Sequence, residues 1–146
     1  VPSARRSRTI AAPPERLWEV IGDPHHLPRW WPRVERVEDV EEDAFTEVMK
    51  TAKGKLVRAD FRVRSVQADE HALVWEQQLE GTPFARLLSS AETHVYLEPA
   101  EGGTNVTIEL HQRLTGMFPR FGGFMVRRAA AATLDQALDG LERIGG

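Results

Sequence analysis

The sequence predicts an α+β domain in which one antiparallel sheet wraps around a long C-terminal helix. Three observations carry this reading. Apolar and polar residues alternate from about Val34 to Leu114, the period of half-buried strands. A short helical signal precedes that stretch, and a helical period returns after Gly116. A single final helix is then left to cover about seven strands, so the sheet must curl around it. Where side chains do not fill the space between them, a cavity remains.

In chain order, a first strand leads into a short helix. Pro13-Pro14 sets the helix start, because proline is tolerated in a first turn. Leu17 and Ile21 fall on one face with Trp18 beside them, and Gly22 follows as a stop. The proline-punctuated run from Asp23 to Pro32 has room for no more than one further helical turn. The strongest strand sets Val57, Ala59, Phe61 and Val63 against Arg58, Asp60, Arg62 and Arg64. The alternation continues through Leu73, Trp75, Gln77 and Leu79, then Ala91, Thr93, Val95 and Leu97, then Val106, Ile108 and Leu110. Turn signals stand between them at Lys53-Gly54, Ala68-Asp69 and Gly102-Gly103. One-sided alternation means antiparallel pairing with one wet face. Leu134, Leu138 and Leu141 give the final helix its core stripe, Ala129 to Ala132 favour it, and Gly122-Gly123 is expected to bend or delay its start.

The 146 residues suit a single domain, 1–146. There is no cysteine, which excludes a disulfide framework, a thiol nucleophile and a thiolate metal site. With 19 basic and 22 acidic residues the net charge is −3, so a whole-chain footprint for nucleic acid is missing and no nucleic-acid partner is expected. No apolar run approaches the ~18–20 residues of a membrane span. The opening Val1 to Arg6 lacks the apolar centre of a signal peptide, and the expected location is cytoplasmic. No serine lies in a Gly-x-Ser-x-Gly elbow, and no glycine-rich phosphate loop exists. Asp23, His25 and His26 lack the further ligand spacing of zinc, and neither a metal nor a cofactor is expected. A hairpin over Ala100 to Gly103 pairs His94 with Glu109 and Glu92 with His111 on the wet face, where they read as structural ion pairs.

Several strings together resemble the START and birch-pollen-allergen-like superfamily. Ile10 to Trp18 looks like its first strand running into its first helix. Asp23 to Val34, with Leu27-Pro28 and Trp30-Trp31-Pro32, is similar to its second helix and the approach to strand two. Leu97-Glu98-Pro99 with Gly102-Gly103-Thr104 matches its last hairpin. The nearest branch is the bacterial polyketide cyclase/dehydrase and lipid-transport-like group. The resemblance implies a helix-grip fold: a curved antiparallel sheet of about seven strands, two short helices after strand one, and a long C-terminal helix. It also implies a hydrophobic small molecule bound between sheet and helix.

On the inner face this places Phe61, Trp75, Gln77, Thr93, Val95, Leu97, Ile108, Leu110 and Gln112, with Phe121 and Phe124 approaching from the helix. Counting back along the helix from Leu134 reaches Ala131, Arg127 and Phe124, so Arg127 is a candidate anchor for an acidic ligand, or else snorkels to solvent. The inward positions read this way hold Gln and Thr rather than ionisable groups. Binding or transport of a hydrophobic or amphipathic molecule is therefore favoured over a cyclase- or dehydratase-like enzyme acting on a polyketide-type substrate. A protein-binding co-factor acting through the acidic Arg33 to Asp43 edge is a further alternative, and a monomer is the default.

Overall fold

The computed structural model describes residues 2–116 and 120–145. Seven strands form one antiparallel sheet: β1 (Ala4–Ile10), β2 (Val34–Glu38), β3 (Ala44–Lys50), β4 (Leu56–Gln67), β5 (Ala72–Gln77), β6 (Leu88–Ala100) and β7 (Gly103–Leu114), in the order β1-β7-β6-β5-β4-β3-β2. Strands β2 to β7 form a meander, and β1 closes onto β7. β1 and β2 are thus the two sheet edges, and residues 11–33 must cross from one to the other. That crossing carries α1 (Pro14–Ile21), a 3-10 turn (Pro24–His26) and α2 (Leu27–Trp30). The single turn of α2 is what the prolines around it allow.

The expected strand faces are the observed ones. On β4, Arg58, Asp60, Arg62 and Arg64 are exposed while Ala59 is buried, and Leu73, Trp75, Val95, Leu97, Val106 and Ile108 are buried on the inner face. The β6–β7 register matches the expected one: His94 lies opposite Glu109, Glu92 opposite His111, and Pro99 opposite Thr104. The bonding differs from the expectation, however. Each histidine bonds the glutamate two residues along its own strand, His94 to Glu92 at 3.2 Å and His111 to Glu109 at 2.7 Å. On the β2–β3–β4 edge the uneven charge resolves into cross-strand ion pairs, Lys50 with Glu35 at 3.7 Å and Arg58 with Glu38 and Asp39.

The long helix α3 (Arg120–Gly145) runs through Gly122-Gly123 without interruption, contrary to the bend or delay those glycines predict. Its C-terminal half packs on β1 and α2, with Leu134, Ala137, Leu138 and Leu141 at most 1% exposed. Gly140 makes the closest approach: a Cβ there would lie 2.4 Å from the Trp30 carbonyl oxygen, so only glycine lets the helices meet at this distance. Toward its N-terminal half the buried face rotates to Ala130 and the residues beside it, leaving Arg127 and Phe124 exposed. The buried side of the helix thus changes along its length, whereas extrapolating the Leu134 stripe backwards assumes a fixed side. Phe124 therefore leaves the cavity wall on which that count places it, and Arg127 takes the solvent-facing alternative.

Candidate functional site

Between the sheet and the N-terminal half of α3 lies a cleft of about 290 Å³. Its sheet wall presents Phe61, Trp75, Gln77, Thr93, Leu110 and Gln112, and its helix wall Val126, Ala129, Ala130 and Thr133. Six expected residues therefore meet here. Val95, Leu97 and Ile108 do not: they lie further along the inner face, at most 3% exposed, packed in the core beneath α3. Phe124 is 56% exposed and Arg127 is exposed, both away from the cleft. Phe121 lies outside the residues whose side chains are described.

The floor is an aromatic cluster built by chain crossing rather than by one strand. Trp31, which follows α2, meets Trp75 of β5 edge-on at 5.9 Å between ring centroids, and Phe45 stacks on Phe61 at 5.3 Å and meets Trp75 at 6.2 Å. Trp31 is one of the lining residues that strand alternation could not reveal, because it belongs to the connection rather than to the sheet.

The other is Glu47. It sits on β3 between Phe45 and Met49, opposite Ala59 of β4, and its side chain turns into the cleft. It is 1% exposed, and among the described residues no side chain or backbone group bonds its carboxyl. Burial pushes its pKa up to about 8, because the charged form would lose its water without gaining a partner. At neutral pH this carboxyl is therefore mostly protonated and offers an O–H donor to whatever fills the cleft. The signal was present in the sequence: Phe45, Glu47 and Met49 share one strand phase, and the flanking apolar residues mark that phase as inward.

A second polar atom is left over. The Oε1 of Gln112 is buried and has no hydrogen-bond partner, although it lines the same cleft. A buried acceptor left unmatched costs roughly 1–3 kcal/mol, which a ligand donor would recover. No Lys, Arg or His belongs to the described lining, so the cleft holds no cation for an anionic head group. Glu92 touches the rim but gives its carboxyl to His94 on the outer face. The cleft can thus hold an apolar body, donate one hydrogen bond from Glu47 and accept one at Gln112.

A family model described as "Polyketide cyclase / dehydrase and lipid transport" matches residues 2–144. No curated protein matches the sequence. Among solved structures, a START superfamily protein from Mycobacterium smegmatis superposes with a TM-score of 0.75 at 17% identity, covering 97% of this chain and 95% of that one. A protein from Thermus thermophilus gives 0.74 at 26% identity, covering 96% and 94%. The Zhui aromatase/cyclase from Streptomyces sp. R1128 gives 0.75 at 17% identity, covering 97% and 92%.

Proposed function

Since the chain belongs to the polyketide cyclase/dehydrase and lipid transport family, we propose that it binds a compact, uncharged, largely apolar molecule between its sheet and α3. The observation that carries this is the meeting, in one largely apolar cleft, of the buried Glu47 carboxyl and the unpartnered Gln112 oxygen. Small-molecule sites typically combine apolar walls with a few convergent polar groups. At about 290 Å³ the cleft is at the lower end of the ~300–1,000 Å³ usual for such sites, which favours a body of one or two rings over a long acyl chain. A hydroxy ketone or phenol has both the acceptor that Glu47 asks for and the donor that Gln112 asks for. A fatty-acid anion finds no cation there.

Prodan, a neutral two-ring naphthyl ketone dye, tests this. It should bind one site per chain and quench tryptophan emission through Trp75 and Trp31. Ala129→Trp, on the helix wall where the residue is otherwise exposed, should fill the cleft and abolish the signal while leaving the fold intact. Unchanged dye binding in folded Ala129→Trp protein would overturn the assignment of the site.

A catalytic reading is favoured by one specific feature. A general acid works best with a pKa near the operating pH, and a carboxyl held protonated at neutrality meets that condition. In a bound β-hydroxy ketone, Glu47 would protonate the departing hydroxyl, which leaves as water, while a solvent water takes up the α-hydrogen as a proton and the conjugated C=C bond forms. Glu47→Gln keeps a hydrogen-bonding group of the same size but supplies no proton. Loss of dehydration with dye binding retained would support catalysis by Glu47, and undiminished turnover would exclude it.

A further inference from the structure

We propose that the outer face of the β6–β7 hairpin, at His94, Glu109 and His111, is a binding site for a divalent transition-metal ion of the zinc type. One ligand atom from each of these residues can be chosen so that all lie within 4.8 Å of one another. In a tetrahedral zinc site, with bonds of ~2.0–2.2 Å, ligand atoms stand roughly 3.3 Å apart. Small rotations about the side-chain torsions therefore suffice to close the set. The two imidazole rings already lie 4.2 Å apart at an angle of 34°, and His111 Nε2 is 2.7 Å from Glu109 Oε1. An ion would take the place of the proton between imidazole and carboxylate.

Register brings the three together. His94 faces Glu109 across the strands, and His111 stands two residues from Glu109 on β7. The groups are also held from behind, as ligands in metal sites are. His94 bonds the Tyr96 hydroxyl through Nδ1 at 3.0 Å, which leaves Nε2, now on the Glu92 carboxylate at 3.2 Å, as the nitrogen that would turn to the ion. Arg5 of β1 donates from Nε to the second oxygen of Glu109 at 3.2 Å, orienting that carboxylate. Burial raises the Glu109 pKa, but the hydrogen bonds from His111 and Arg5 outweigh it and keep the group an anion. Side-chain exposures of 20% for His94, 29% for His111 and 17% for Glu109 leave the cluster partly open to solvent ions.

The donor set selects the ion. Two imidazole nitrogens and one carboxylate oxygen suit zinc, cobalt or nickel, whereas calcium and magnesium ask for oxygen ligands. Three protein ligands leave a coordination position for water or for Glu92, whose Oε1 lies 3.2 Å from His94 Nε2. The site is independent of the cleft but backs onto it: Thr93, Leu110 and Gln112 of the cleft alternate with these residues along the same two strands.

Calorimetric titration of chelator-stripped protein with zinc chloride at pH 7 tests the proposal. One ion per chain should bind. His111→Asn and Glu109→Gln should each weaken binding by about tenfold or more, in line with loss of a ligand. Calcium at millimolar concentration should not compete. Asp23, His25 and His26 form the other histidine–carboxylate group, with His25 Nδ1 2.8 Å from Asp23. The double substitution His25→Asn, His26→Asn should leave zinc binding unchanged. All these positions are at the surface, and melting without zinc checks that each variant folds. Absence of a one-to-one complex would overturn the proposal, as would binding that survives His111→Asn or vanishes on changing His25 and His26.

Discussion

Replacing Glu47 by glutamine should make the protein more stable, and by an amount that depends on pH. The carboxyl has a pKa of about 8 in the fold because burial strips water from its charged form. In the unfolded chain it returns to about 4.3. A folded-state pKa above the unfolded one gives stability that is complete below the unfolded value and is lost as pH rises through the folded value. Glutamine does not titrate, so the difference between variant and wild type isolates this group. That difference should be flat below about pH 4 and grow by about 1.4 kcal/mol per pH unit above it. It should level off above pH 8 at no more than about 5 kcal/mol, with roughly 3.5 kcal/mol of it present at pH 7. Urea unfolding of both proteins at intervals from pH 4 to pH 9 measures it, since the midpoint shift times the common slope gives the difference directly. A difference that stays constant from pH 5 to pH 8 would refute the reasoning, because it would mean that Glu47 ionises in the fold as it does in water.

Three other outcomes are expected. Thr104→Val should lose about 1–3 kcal/mol, because the fully buried Oγ1 of Thr104 donates to the Ala12 carbonyl at 2.6 Å and valine leaves that oxygen without a partner; chemical denaturation at pH 7 reads it. Gly140→Ala should lower the thermal midpoint by the equivalent of about 1–3 kcal/mol or more, since the new methyl group meets the backbone of Trp30; a midpoint equal to wild type would show that α2 and α3 separate freely. Arg127→Met should change stability by no more than about 0.5 kcal/mol and leave Prodan binding as it was, because the side chain is exposed and outside the cleft.

Much of this architecture is readable from local pattern alone. The phase of each strand follows from a period of two, so Ala59, Trp75, Val95 and Ile108 are assigned inward without knowledge of their neighbours. The β6–β7 register follows from the turn at Glu101-Gly102, because a hairpin fixes its pairing once its loop is set. The same period would put Glu47 on the inner face between Phe45 and Met49, although it is not among the residues read as inward from the sequence, and phase in any case states only which side a residue faces. Whether that side is wet, packed solid or open to a cleft depends on what comes to cover it.

Those coverings are tertiary. Trp31 reaches the cleft because the chain must cross from one sheet edge to the other, and Glu47 loses water because that crossing and α3 close over it. The buried side of α3 changes along its length and separates the fates of residues on one nominal stripe, so Leu134 is buried and Arg127 is in solvent. The partners of His94 and His111 were likewise decided by side-chain torsions rather than by register, which offered each histidine two glutamates. Sequence determined the faces and the pairing, since these obey short periods along one chain. The cleft, its protonated acid and its open acceptor belong to the tertiary structure, because burial is a property of what distant segments place around a residue.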